Sequence, residues 1–150
     1  MRSARLAITV GGGVAGTLDI LQASILFGWD IPKAIAGGLV GPRAFHGGVG
    51  MYVLGMALHF SIALTWAAVF YLASRRLGFM AEHPVVCGLL YGMVVENVMN
   101  LVVLPLSALH ARGPYELKDL ILGLAVHAIV IGLPIAFAVN RFAPKAAQNL

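Results

Sequence analysis

Apolar residues along this chain come in four long runs, at about Leu6–Phe27, Gly50–Ala73, Pro84–Leu104 and Leu117–Val139, with polar residues gathered between them. Each run is close to the ~20 residues that a helix needs to cross the hydrocarbon of a bilayer. Gly28-Trp29-Asp30 closes the first run, Arg75-Arg76 the second, Pro105 the third and Asn140-Arg141 the fourth. Backbone groups inside a bilayer have no water to bond, so each run is expected to be a helix. The predicted fold class is an all-α membrane protein: one domain over residues 1–150, with four spans running up-down-up-down. The connection Gly28–Gly48 is long and itself apolar. Its IPKAIAGGLVG opens with Pro at a helix-start position and places Ile31, Ile35 and Leu39 at helical spacing. That predicts a short interfacial helix after the first span, with Trp29 as an aromatic anchor. The connection Ser74–His83 is short and basic, and Ser107–Glu116 reads as a plain loop.

Polar residues inside the runs carry the information about function. In the third run, Gly88, Gly92, Glu96 and Asn100 fall four apart and share one helix stripe. A carboxyl group in a lipid-spanning helix costs roughly 2.5–3.5 kcal/mol on insertion scales, so Glu96 is expected to face protein. Asn97 and Asn100 are expected to bond across helices, with a lining role beside Glu96 as the alternative. The first run repeats the pattern, with Gly12, Gly16 and then Asp19. The second and fourth runs share another: GMALH ends on His59 and GLAVH ends on His127, preceded by Gly55 and Gly123. The chain therefore reads as two tandem helical hairpins, related by a pseudo-two-fold axis along the membrane normal.

Counting from the centre of each run at about 1.5 Å per residue puts Asp19, His59, Glu96 and His127 within ~5 Å of the midplane, offset to one side. Gly16, Gly55, Gly92 and Gly123 lie about one turn from these groups and allow close helix approach there. Three readings of the layer stay open. One is a hydrogen-bonded cluster that fixes helix register while neutral. A second is a proton or ion relay, or a cavity for a small polar ligand, since intramembrane ionisable groups are functional candidates and His titrates near neutral pH. A third is a redox protein in which His59 and His127 hold haem or a divalent metal; no haem-attachment motif accompanies them, and no cofactor is otherwise implied.

His46, His83 and His110 fall in connections and are expected to be solvated. Tyr52, Trp66, Tyr71 and Tyr91 read as packing or interface residues, and Pro134 as a kink in the fourth span. No Walker loop, nucleophile elbow or zincin motif is present, so a non-enzymatic role is expected ahead of catalysis.

Composition agrees with the pattern. The chain is 60% hydrophobic and 11% charged, against about 25% charged in soluble domains, and its mean hydropathy is +0.91. Ten Lys and Arg against six Asp and Glu give a net charge of +4. The cations are dispersed among the segment ends, which fits anionic lipid head groups and not nucleic acid. Six of the ten lie on the side that holds both termini and the Arg75-Arg76 loop, which favours cytoplasmic termini. The basic, then apolar, N-terminus is read as an uncleaved first span, because three glycines interrupt its apolar core. The lone Cys87 excludes an internal disulfide. Four helices rarely enclose a wide pore, so a homodimer is a further expectation, with Gly11 and Gly13 of the first span facing lipid at the contact.

The stretch His59–Leu109 resembles YagU-type proteins, small four-span bacterial inner-membrane proteins of largely unknown function. The resemblance rests on His59–Ile62 (HFSI), Tyr71, Pro84, the Gly88–Gly92 entry to the third span and the Pro105-Leu106 exit. It covers about a third of the chain. It implies an inner-membrane location and four spans, and brings no activity, substrate or catalytic residue.

Overall fold

Helices of 23 to 28 residues carry all four apolar runs in a computed structural model that describes residues 3–112 and 116–144. They are α1 (Ala4–Phe27), α3 (Val49–Arg76), α5 (Pro84–Leu106) and α6 (Leu117–Phe142), each long and apolar enough to cross a membrane. Between them lie α2 (Ile31–Val40), a 3-10 turn at Pro42–His46 and the short α4 (Phe79–Glu82). The protein is thus an all-α, multi-pass membrane protein. Large apolar side chains such as Ile25, Val49, Leu101 and Leu117 stand on the outside, more than 70% exposed, as hydrocarbon solvent allows. The interior is built from small residues, among them Ala7, Ala15, Ala67 and Ala136, around Phe70, Ile135 and Val139. Small interior residues are what lets helices approach closely when no hydrophobic force separates protein from lipid.

Local chemistry sets the ends. The Ser3 hydroxyl accepts from the Leu6 N–H at 3.1 Å and caps α1. Gly28 closes α1 at φ 96°, a left-handed conformation natural to glycine. The Ser3 N–H donates to the Phe142 carbonyl at 2.8 Å, and Arg75 donates to the Pro144 carbonyl at 2.8 Å, so the start of α1 and the ends of α3 and α6 meet at one end of the bundle.

The spans do not pack as a symmetric square. The α1–α3 and α5–α6 hairpins form, and α1 also packs along α6. The matching α3–α5 seam stays open at the backbone level. The reason lies in the side chains. At the α1–α6 seam Gly11 faces Ala138 and Ile135, and an added Cβ would meet Ala138 Cβ at 3.1 Å. Gly11 is therefore a packing residue inside the protein and not the lipid-facing glycine expected from the sequence; Gly13 has open space around it. Between α3 and α5 stand Trp66, Phe70 and Tyr91. Their rings pack edge to face with centroids at 6.1 and 4.9 Å, and the Tyr91 hydroxyl donates to the Trp66 carbonyl at 2.6 Å.

Two further features depart from the sequence reading. First, α2 does more than lie at an interface. Pro32, Ala36 and Gly37 are buried, and the Pro32 carbonyl occupies the space left by the missing side chain of Gly55. The Ala108 N–H donates to the Gly38 carbonyl at 2.8 Å, tying α2 to the segment after α5. At its start, Asp30 accepts from the Tyr52 hydroxyl and pairs with Lys33 at 3.2 Å. The Tyr52 hydrogen bond, and then Lys33, hold the Asp30 carboxyl below its ordinary range. Second, α5 and α6 each contain one wide π turn, at Met99–Val103 and Ala128–Gly132. Each lies just ahead of a proline, Pro105 or Pro134. Proline removes an N–H and crowds the carbonyl four residues back, and the wide turn accommodates both. Pro105 accordingly sits inside α5, one residue before its end, where the sequence reading had ended the span at Leu104.

Candidate functional site

The glycine stripes decide which polar groups meet. Gly12 and Gly16 of α1 face α3, where added Cβ atoms would meet Leu64 Cα at 2.9 Å and Ala63 Cβ at 3.0 Å. Gly88 and Gly92 of α5 face α6: the former lies against Ala136, the latter against the backbone of His127 and Ala128. This close α5–α6 seam brings Glu96, one turn beyond Gly92, alongside His127. The Glu96 carboxylate fills the place where a side chain on Gly123 would stand.

A three-residue cluster results. His127 Nδ1 lies 3.0 Å from the Glu96 carboxylate and 3.1 Å from the Gly123 carbonyl, so its N–H is directed between them. His127 Nε2 lies 3.9 Å from the Asp19 carboxylate, outside direct hydrogen-bond range. Glu96 is only 5% exposed, while Asp19 and His127 are partly buried. One imidazole therefore stands between two carboxyl groups from two other helices.

His59 does not join this cluster. It is buried on α3, and its Nε2–H donates to the Gly16 carbonyl at 2.7 Å. Of the four residues expected in one layer, Asp19, His127 and Glu96 meet and His59 stands apart. Nor do the asparagines bond across helices. Asn97 is exposed, donates to the Met93 carbonyl of its own helix at 2.8 Å and lines no part of the site. Asn100 donates to the Glu96 carbonyl one turn back at 3.1 Å and does face the interior. Among the described residues no group of three or more His, Cys, Asp and Glu side chains is placed to hold a metal ion. His59 and His127, read from sequence as a haem or metal pair, are committed to different partners.

Two cavities flank the cluster. One, of about 600 Å³ between α1, α5 and α6, is lined by Glu96, Asn100, Arg112, Asp119 and His127. The other, of about 460 Å³, lies in the open α3–α5 seam beneath α2 and is lined mostly by apolar residues, with Asp19, His59 and His127 at its polar part. Gln22 borders both. Its amide donates to the Asp19 carboxylate at 3.3 Å, and its Oε1 is buried without a donor. A buried acceptor left unpaired costs about 1–3 kcal/mol, which marks a place for a donating group. Gln22 was missed in the sequence, although it stands one turn from Asp19 on the same face. Arg112 and Asp119 were also missed, because they read as loop and helix-start residues.

No family model, curated protein or solved structure matches this chain.

Proposed function

We propose that this protein is a bacterial inner-membrane protein, with both termini cytoplasmic, whose Asp19–His127–Glu96 cluster holds and exchanges a proton beside a ligand cavity. The observation that carries this reading is His127 set between two carboxyl groups inside the helix bundle. One imidazolium neutralises at most one carboxylate, so the charge of the cluster depends on how many protons it holds. Groups of this kind inside a membrane domain are costly unless protonation, pairing or a ligand compensates them. Kinship with YagU-type proteins belongs to the same proposal, as does a homodimer, for which Gly13 offers an open surface on α1.

Infrared difference spectra of the protein in lipid, recorded across a pH titration, test the reading. A protonated-carboxyl band that titrates, disappears in Asp19→Asn and moves in His127→Ala is the expected result. A pH-independent spectrum, with both variants changing only thermal stability, would reduce the cluster to a structural lock between helices.

A further inference from the structure

The smaller cavity has a chemical polarity that its size alone does not convey. Its polar part offers acceptors in the Asp19 carboxylate and the unpartnered Gln22 Oε1, with the His59 and His127 rings beside them. No Lys or Arg lines it. The remainder is apolar and includes Trp66, whose indole face attracts cations. Leu39 at 60% exposure and Val103 at 37% also line it, so the cavity reaches the lipid-facing surface between α2 and α5. A volume of about 460 Å³ lies within the range of small-molecule sites.

We infer that this cavity binds a lipophilic organic cation that carries N–H donors, entering from the bilayer beside α2. This deepens the reading given above and rests on it: the ammonium pairs with Asp19, donates to Gln22 Oε1 and competes there with the exchangeable proton proposed above. The ammonium keeps its own protons, and a proton displaced from the cluster leaves to water. The groups that face Asp19 fix the competition. They are His127 from α6, Glu96 beyond it on α5 and His59 from α3, with Arg112 and Asp119 in the neighbouring cavity. His127 already serves Glu96, so Asp19 is the carboxyl left for a proton or a cation.

Fluorescence titration of the full-length protein in detergent with dansylcadaverine, a primary ammonium with an aromatic body, tests the inference. Saturable binding is expected, weakening as the pH falls. Asp19→Asn and the N-acetylated, uncharged probe should each bind about tenfold more weakly, as expected for loss of a charge-assisted pair. Asp19→Glu should retain binding, which separates loss of charge from loss of fold. Ile35→Trp, which fills the cavity, should abolish it. Equal binding by Asp19→Asn or by the acetylated probe overturns the inference, as does failure of the wild-type protein to bind. If binding is absent while the infrared carboxyl band still depends on His127, this inference fails alone; if both signals are absent, the proton-exchange reading fails with it.

Discussion

Gly123 shows how much a single missing side chain decides. Its vacant position holds the Glu96 carboxylate, which in turn sets the 3.0 Å approach to His127. Gly123→Ala should therefore push Glu96 away from His127 and lower stability by about 1–3 kcal/mol, the usual cost of forcing extra volume into a packed interior. Gly50→Ala in α3 is the matched control. Nothing lies within 4 Å of its added Cβ, so the change should stay within about 1 kcal/mol and lean towards stabilisation, alanine being the better helix former. Thermal midpoints of the two variants in the same detergent check both expectations. At this scale the sequence reveals height but not direction. Counting along each helix set Asp19, His59, Glu96 and His127 at one depth, yet whether a side chain turns towards a given neighbour depends on which helices touch. His59 faces the Gly16 carbonyl, a partner no periodicity could name. Asn97 was misassigned: it lies off the Gly88–Gly92–Glu96–Asn100 stripe, and the structure places it on the outside, not across helices.

Among the elements, α2 owes its position to contacts that hydropathy does not encode. Its helical character follows from Pro32 and the Ile31–Ile35–Leu39 spacing, but its docking follows from Gly55 admitting the Pro32 carbonyl. The Asp30 carboxylate strengthens the hinge between α1 and α2 by accepting from Tyr52 and pairing with Lys33. Because that carboxyl is held below its ordinary value, the contribution is complete above the normal carboxylate range and is lost as the pH falls through the lowered value. Asp30→Asn should therefore reduce the thermal midpoint slightly near neutral pH and make no difference in strong acid; the site is exposed, so the effect is small. A difference that persists unchanged into acid would remove Asp30 as its cause. The wide turns before Pro105 and Pro134 were half legible for the same reason as α2. Proline announces a disturbed helix, but whether the disturbance becomes a kink or a π turn depends on the packing around it.

At the scale of the whole molecule, the open α3–α5 seam is the feature that separates this bundle from a symmetric pair of hairpins. The four spans were readable because lipid demands long apolar helices. The asymmetry was not, because Gly11 against Ala138 on one seam and Trp66 against Tyr91 on the other are pairings across distant parts of the chain. The Tyr91 hydroxyl is the polar tie across the wide seam. Tyr91→Phe should cost about 0.5–1.5 kcal/mol, the usual net worth of one hydrogen bond. It should also increase hydrogen exchange along α3 and α5 while leaving α1 and α6 unchanged; uniform exchange across all four spans would mean that the seam is not held there.

The same asymmetry gives the membrane orientation a functional meaning. Ser3, Arg75 and Arg141 lie at one end of the bundle, while α2, the 3-10 turn and Arg112 lie at the other. In the proposed orientation, which the excess of cations at the first end favours under the positive-inside bias, that end is cytoplasmic and the α2 end and the polar cluster lie nearer the outer surface. In a Cys87→Ser background, His46→Cys and Gly78→Cys stand at opposite ends on exposed positions, and a side chain at Gly78 meets nothing within 4 Å. A membrane-impermeant maleimide applied to intact spheroplasts should label the His46→Cys protein at once and the Gly78→Cys protein only after permeabilisation. The reverse pattern would turn the molecule over and direct the cavity beneath α2 towards the cytoplasm. Equal labelling of both before permeabilisation would indicate two orientations in one membrane, for which a charge split of six to four leaves room.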